Sequence, residues 1–265
     1  MLLRLGTDAY LSSNAPGDAL PGRNPTTHRA QVLIDGQAQP SIVKIPHPKD
    51  VRFALFRESL CFLLAKELKL LPPKTWAAVL DVPVPLLPPM ARKHSGWLHR
   101  YEEATAWCQP WFPCPDLRHT DGPALLSLMS RSKLGVKILA FDEWIANGDR
   151  HGENLLRCED GVLIPIDHEE ALGGLSARLF GSPCDSNGPL LQYGPVLEPP
   201  QYRQITNQAL LEHAHYHKAL DTVESTLPSW LLELPDCHSQ IGDAFQFLRH
   251  RAGQDWFKNR VGLLI

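Results

Sequence analysis

The residues best suited to chemistry lie in one segment, 141–172, which reads FDEWIANGDRHGENLLRCEDGVLIPIDHEEAL. An apolar stretch ending at Ile145 is followed by a polar turn that carries Asp149 and, five positions later, Asn154. Asp167 comes thirteen positions after Asn154, a distance that a tight two-stranded hairpin can span. Phosphoryl transfer needs a carboxylate that orients or deprotonates the attacking hydroxyl and hard oxygen ligands that hold Mg²⁺ against the phosphates. The segment therefore predicts a Mg²⁺-dependent phosphoryl-transfer site.

A second group of candidate residues lies earlier in the chain. Lys44 ends the apolar run Ser-Ile-Val-Lys, which predicts a β-strand, and Glu58 follows fourteen positions later on a predicted helix. A lysine at such a strand position contacts the α- and β-phosphates of a nucleotide, and a helical glutamate holds its head group in place. Either residue alone is more simply a solvated side chain. Their functional interpretation depends on their order with Asp149, Asn154 and Asp167.

The string D-R-H-x-x-N at 149–154, with the downstream I-D-H-x-x-A-L at 166–172, resembles the HipA-like kinases. The stretch G-D-R-H-x-x-N is also similar to the catalytic loop of phosphatidylinositol 3/4-kinases. Asp149 and Asn154 have the spacing of the Asp and Asn in the protein-kinase catalytic loop. The resemblance implies a two-lobed kinase-like fold that binds ATP and Mg²⁺.

The same resemblance implies a role for each candidate residue. Asp149 would be the catalytic base, and Asn154 and Asp167 would be the metal ligands. Lys44, oriented by Glu58, would contact ATP. Two loop-ordering residues would complete the set: Arg150 and His151.

The chain departs from the kinase pattern in two places. No G-x-G-x-x-G precedes Lys44, and Gly17 and Gly22 lie in a proline-containing stretch that only loosely suggests a phosphate-covering loop. Asp167 is followed by His168 and Glu169 rather than Phe-Gly, so a DFG-type switch is not expected.

The surrounding residues predict a small strand-rich lobe. Apolar, β-branched runs at 30–34 and 41–45 flank a loop with Gly36 and predict an antiparallel strand pair. Apolar residues then recur at three- and four-residue spacing over 51–70, which predicts a helix. We expect these elements to form an N-terminal lobe, residues 1–100, with the nucleotide-contacting lysine.

The remainder, residues 101–265, is predicted to be a mostly helical C-terminal lobe with the catalytic loop and the metal site. Its predicted elements are helices at 124–129, 134–145, 210–220 and 241–249 and a hairpin of 154–157 with 162–167. The fold class expected is therefore α+β, a two-lobed protein-kinase-like fold.

Composition excludes several classes of function. The 265 residues include 26 Lys and Arg against 29 Asp and Glu, a net charge of −3, which argues against direct nucleic-acid binding. No apolar run has the roughly 18 residues of a membrane-spanning helix, and the first residues lack the order of a signal peptide. The six cysteines form no C-x-x-C pair, so we expect free thiols and a cytoplasmic location.

Two further motifs have plain structural interpretations. His213, His215 and His217 could suggest Zn²⁺, but a third ligand is missing and a packed or solvated helix face is favoured. Cys108 and Cys114 are interpreted as packing residues. The HipA-like resemblance raises regulation by phosphorylation in an early loop, although ordinary turn-forming residues are favoured there: Ser12, Ser13, Thr26 and Thr27.

The function expected is transfer of the γ-phosphate of ATP to a hydroxyl, with a protein Ser/Thr as acceptor by resemblance alone. The resemblance also raises a toxin role beside an antitoxin-type partner protein. A small-molecule or phosphoinositide-type lipid kinase, a nucleotide-binding pseudokinase and a nucleotidyl transferase stay open as alternatives.

Overall fold

A six-stranded sheet is the main feature of the first part of the chain. The computed structural model describes residues 1–13, 26–47, 51–173, 188–234 and 237–262, so Gly17 and Gly22 lie outside the described residues. Within those ranges the sheet comprises β1 (Leu2–Leu5), β2 (Tyr10–Ser13), β3 (His28–Ile34), β4 (Gln37–Lys44), β5 (Ala77–Pro83) and β6 (Glu103–Pro110). Its strand order is β1-β5-β6-β4-β3-β2, with β1 parallel to β5 and the other pairs antiparallel.

The predicted strand pair is the hairpin of β3 and β4. Asp35 and Gly36 form its turn, both with positive φ (49° and 76°), as a two-residue turn between twisted strands requires. Alternate β3 residues, among them Ala30 and Val32, are fully buried because successive side chains of a strand point to opposite faces. β4 lies between β3 and β6, so Lys44 ends an interior strand.

The predicted helix at 51–70 is α1 (Val51–Glu67), and it ends before the following prolines. Lys69 adopts a left-handed conformation (φ 58°), and the amide of Leu70 donates to the carbonyl of Ala65 at 2.8 Å, which caps the open carbonyl end. Its side chains Phe56, Leu60 and Leu64 are fully buried.

The rest of the chain is mainly helical. The helices are α2 (Pro89–His94), α3 (Gly122–Ser130), α4 (Lys133–Trp144), α5 (Pro189–Tyr193), α6 (Pro199–His213), α7 (Tyr216–Ser225), α8 (Ser229–Leu232), α9 (Cys237–Arg251) and α10 (Gln254–Val261). Between α4 and α5 lie two short antiparallel strands, β7 (Leu155–Arg157) and β8 (Leu163–Pro165). They confirm the predicted hairpin around Gly161. Among the described residues, no helix is both long and apolar enough to cross a membrane.

Helix α4 leads directly into the candidate site, and most of its residues are buried. Ser132 caps its start by accepting a hydrogen bond from Gly135 at 2.9 Å. Its end is fixed by Trp144, which stacks on Tyr216 at 4.3 Å and donates to the carbonyl of Leu248 at 2.9 Å. The end of α4, from which the chain enters the candidate loop of residues 145–154, is therefore held on two sides.

The predicted helix at 210–220 is wrong in one respect, because the chain forms two helices there. α6 ends at His213 and α7 begins at Tyr216. Both side chains are buried, and the His213 ring lies 4.2 Å from that of Phe257. The break allows both rings to enter the core.

The chain divides into two compact units. Residues 1–59 and 74–112 form the sheet-rich unit, and residues 60–73 and 113–265 form the helical unit. The expected α+β class is confirmed. Assigning residues 1–100 and 101–265 to two functional domains stays a prediction.

The expectation of free thiols is wrong for two cysteines. Cys114 and Cys158 form a disulfide, with their Cα atoms 4.8 Å apart. The pairing follows from a backbone contact: the amide of Arg157 donates to the carbonyl of Pro115 at 2.9 Å, and Asp116 bridges to β7. These contacts place the two cysteines opposite each other. Cys61 and Cys108 are buried thiols.

Replacing both Cys114 and Cys158 by Ser is expected to lower the free energy of unfolding by about 2–4 kcal/mol, since a cross-link restricts the unfolded chain. Urea unfolding followed by fluorescence measures the loss. Reduction of the wild type with dithiothreitol should give a similar loss, whereas the double variant should not respond to it. A wild type whose stability is unchanged after reduction, verified by mass, would contradict the prediction.

Candidate functional site

The candidate loop begins with a tight turn at the end of α4. The amide of Ile145 still donates to the carbonyl of Phe141 at 2.9 Å, but Ala146 has a positive φ of 53° and ends the helix. The amide of Asn147 then donates back to the carbonyl of Asp142 at 2.9 Å. The residues that follow leave the helix in a defined direction because both backbone contacts fix the turn.

Asp149 and Asn154, which the sequence predicts to act together, are hydrogen-bonded. The side-chain nitrogen of Asn154, Nδ2, donates to the backbone carbonyl of Asp149 at 2.8 Å and to the Asp149 carboxylate at 3.2 Å. The Asp149 side chain is 51% exposed, and His151 Nε2 lies 3.5 Å from its Oδ2. Since Nδ2 of Asn154 faces Asp149, the side-chain oxygen Oδ1 of Asn154 is the atom that can bind a cation.

The β7–β8 hairpin brings the region of Asp167 beside Asn154. The register pairs Leu155 with Pro165, and the amide of Ile166 donates to the carbonyl of Asn154 at 3.1 Å. Asp167 comes next and has a positive φ of 59°. A non-glycine residue in this region is uncommon, and such strain is found at functional sites.

Arg150 ties the loop to the hairpin. Its guanidinium is fully buried and forms a bidentate ion pair with Asp142 of α4, with Nε–Oδ2 at 2.9 Å and Nη2–Oδ1 at 3.0 Å. Nη1 donates to the carbonyls of Asn154 and Ile166, the latter at 2.7 Å, and Nη2 contacts His168 Nε2 at 3.1 Å. These contacts agree with the loop-ordering role expected of Arg150.

Sequence reasoning missed Asp142. A carboxylate in a largely apolar helical run, eight positions before Arg150, was an available signal, because a buried acid needs a partner.

Gly152 allows a third segment to support the loop. The amide of Leu117 donates to the carbonyl of Gly152 at 2.8 Å, and a Cβ added at Gly152 would lie 2.0 Å from the carbonyl oxygen of Leu117. A larger residue would separate the two backbones. The segment that holds Leu117 is the one that the disulfide links to the hairpin.

Glu143, also missed from sequence, fixes the start of α5. Its fully buried carboxylate accepts hydrogen bonds from the amides of Gly188 and Leu191, both at 3.1 Å. Gln192 Nε2 donates to the carbonyl of Gly148, directly before Asp149, at 3.0 Å. Burial raises the pKa of Glu143 to about 7, although the two amides and the charge of Arg251 lower it.

Lys44 and Glu58 lie together within the sheet-rich unit. Lys44 Nζ is 3.9 Å from Glu58 Oε1, and the two side chains are only 10% and 4% exposed. The predicted ion pair is therefore present. Its role toward a nucleotide stays a prediction.

The remaining motifs do not form a site. His213 is buried and His217 exposed, so they share no open face, and burial lowers the pKa of His213 to about 3. Within the described residues there is no cluster of three or more His, Cys, Asp or Glu that could hold a metal. Thr26, one of the early hydroxyl residues, is buried and donates to the carbonyl of Ile45 at 2.5 Å.

Comparison with known proteins bears on the fold. No protein-family model matches the chain, and no curated protein sequence matches it. Among solved structures, the crystal structure of CtkA, a proinflammatory kinase of Helicobacter pylori, aligns with a TM-score of 0.53 and 13% sequence identity, covering 97% of this chain and 99% of that chain. The chain has a two-lobed, kinase-like fold. Because a likeness at 13% identity shows the fold alone, the roles of the site residues stay predictions.

The raised pKa of Glu143 gives a pH prediction. In the folded protein the Glu143 carboxyl keeps its proton up to about pH 7, whereas in the unfolded chain it loses the proton near pH 4.5. This residue therefore contributes stability that is complete below 4.5 and is lost as the pH rises through 7, at no more than about 1.4 kcal/mol per pH unit. Urea unfolding at pH 5, 6, 7 and 8 should show this slope in wild type and lose it in Glu143→Gln. The exposed Glu159→Gln variant should keep it, and parallel profiles for wild type and Glu143→Gln would contradict the assignment.

Proposed function

We propose that the protein is a Mg²⁺-ATP-dependent kinase that transfers the γ-phosphate of ATP to a hydroxyl group. One observation supports this most directly: the Asn154 side chain donates to Asp149, while the backbone carbonyl of Asn154 accepts from the amide of Ile166, the residue before Asp167. A potential base and one potential metal ligand are thus hydrogen-bonded to each other, and the second potential ligand directly follows a residue that is hydrogen-bonded to the first. The kinase-like fold is a second, independent support.

The donor set fits Mg²⁺. The ion prefers hard carboxylate and amide oxygens and retains several waters, so one Asn and one Asp are sufficient protein ligands. Asn154 offers its amide oxygen and Asp167 its carboxylate. Mg²⁺ bound there would neutralise charge that develops on the β- and γ-phosphates during transfer.

The protein's own groups supply orientation and proton transfer. The half-exposed carboxylate of Asp149 is accessible to an acceptor hydroxyl, which it orients for in-line attack and whose proton it accepts. Lys44 contacts the α- and β-phosphates of ATP, and its buried contact with Glu58 restricts the ammonium group to few orientations.

The acceptor is proposed from family resemblance. The HipA-like motif at 149–154 suggests a protein Ser/Thr, and with it an antitoxin-type partner protein. The similarity of the same motif to the phosphatidylinositol-kinase loop is the basis for the alternative of a lipid or small-molecule acceptor. A pseudokinase would bind nucleotide without transferring phosphate.

Substituting the two aspartates should separate catalysis from metal binding. Asp149→Asn is expected to keep Mg²⁺-dependent thermal stabilisation by ATP and to lose phosphoryl transfer by at least about 10²-fold, because the base is removed. Asp167→Asn is expected to weaken the Mg²⁺-dependent stabilisation itself, because a charged ligand is lost. Intact-mass spectrometry after incubation with Mg²⁺-ATP, alone and with a mixed Ser/Thr protein acceptor, measures transfer.

Glu159→Gln, at the exposed tip of the hairpin, is the matched control and should behave as wild type. If Asp149→Asn and Asp167→Asn both transfer phosphate like wild type, the site assignment is wrong. A wild type that ATP stabilises but that modifies no protein acceptor would favour the pseudokinase or a non-protein acceptor. Addition of a nucleotide mass instead of a phosphate mass would indicate nucleotidyl transfer.

A further inference from the structure

The carboxylate of Asp142 is the point where the contacts of the candidate site converge. It is fully buried and lies on α4, before the candidate loop. Both of its oxygens are occupied: Oδ2 accepts from Arg150 Nε, and Oδ1 accepts from Arg150 Nη2 and from Asn147 Nδ2 at 3.0 Å. Asp142 therefore fixes two side chains that lead to different parts of the site.

The first branch passes through Arg150 to the two proposed metal ligands. The bidentate pair with Asp142 fixes the plane of the guanidinium, so that Nη1 points at the carbonyls of Asn154 and Ile166. One carbonyl belongs to the first proposed ligand, and the other immediately precedes Asp167. The guanidinium thus sets the separation of the two backbones that carry the ligands.

The second branch passes through Asn147 to the proposed base. The Asn147 side chain donates to Asp142 and, through its carbonyl oxygen, accepts from the amide of Asp149 at 3.3 Å. Asn147 is fully buried, so water does not compete for these contacts. The position of Asp149 therefore depends on the same carboxylate as the positions of the ligands.

Stability alone is a poor explanation for this network. A buried ion pair contributes little net stability, because the cost of removing both charges from water offsets their attraction, and apolar residues of similar volume often replace such a pair without loss. A network with directional hydrogen bonds to three functional positions supplies geometry, which apolar packing cannot supply.

We propose that Asp142 is a positioning residue for phosphoryl transfer, which holds Asp149 through Asn147 and holds Asn154 and Asp167 in register through Arg150. This inference rests on the proposed kinase function and assigns the geometry of its site to a residue outside the catalytic loop.

The test separates positioning from folding. Removing Asp142 alone leaves the buried Arg150 unpaired and risks unfolding the protein, so the main variant replaces both partners: Asp142→Leu with Arg150→Met. Asn147→Ala is the second variant, and it cuts only the branch to Asp149. The matched control is Asp221→Asn, which breaks the surface ion pair of Asp221 with Arg249 at 2.7 Å.

Two readouts apply to each variant: the kcat of phosphate transfer with its Mg²⁺ dependence, and amide hydrogen exchange of the full chain. The double variant is expected to lose at least tenfold in kcat and to need at least tenfold more Mg²⁺ for half-maximal rate. Asn147→Ala should lower kcat at least tenfold with the KM for ATP within twofold. The amide of Asp149 should exchange at least tenfold faster in both variants. The amide of Ile166 should exchange at least tenfold faster in the double variant. The exchange of the α9 amides should not change in either variant.

The outcomes are distinct. The proposal is overturned if the double variant or Asn147→Ala folds and has the same kcat and Mg²⁺ dependence as wild type and Asp221→Asn. If the wild type transfers no phosphate, the proposed function fails, and hydrogen exchange still decides the positioning role. Faster amide exchange that is confined to the loop and the hairpin then supports the positioning role. Unchanged exchange, or exchange that is equally faster throughout the helical unit, overturns the positioning role.

Discussion

The ion pair between Asp142 and Arg150 is the contact on which the candidate site depends. Both side chains are fully buried, and every hydrogen-bonding position of the guanidinium that the structure describes is used in holding the loop, α4 and the hairpin together. A charge placed in an apolar interior is tolerated only when its partners are close to ideal in geometry. The cost of burial therefore selects for one arrangement of the loop, and Asp149 and Asn154 take their positions from it.

Backbone strain accompanies this arrangement. Three non-glycine residues around the site adopt positive φ: Ala146 at 53°, Asp167 at 59° and Leu172 at 56°. The amide of Leu172 donates to the carbonyl of Ile145 at 2.7 Å, so two of the strained turns are hydrogen-bonded neighbours. Each such residue costs on the order of 1–3 kcal/mol and persists where its surroundings fix it. The stack of Trp144 on Tyr216 fixes the end of α4, two residues before Ala146.

The sequence predicts the parts of the site that depend on local pattern. The hairpin follows from two apolar runs around Gly161, and the Lys44–Glu58 pair follows from a strand and a helix that are close in the chain. The sequence could not show which partner each acid of 141–145 takes, because Asp142 and Glu143 are adjacent and only packing directs one to the loop and the other to α5. It also could not show the Cys114–Cys158 link, since that depends on a backbone pairing 44 residues apart in sequence.

The disulfide closes residues 114–158 into a covalent ring. The ring contains α3, α4 and the candidate loop, so Asp142, Asn147, Asp149 and Asn154 all lie on one closed loop of chain. Cleavage of one peptide bond within that loop would leave both fragments attached to each other. The part of the molecule that carries the buried network is thus kept together by chain connectivity and by the cross-link at once. Asp167 lies outside the ring, and the β7–β8 pairing and the carbonyl contact of Ile166 with Arg150 help to hold it beside Asn154.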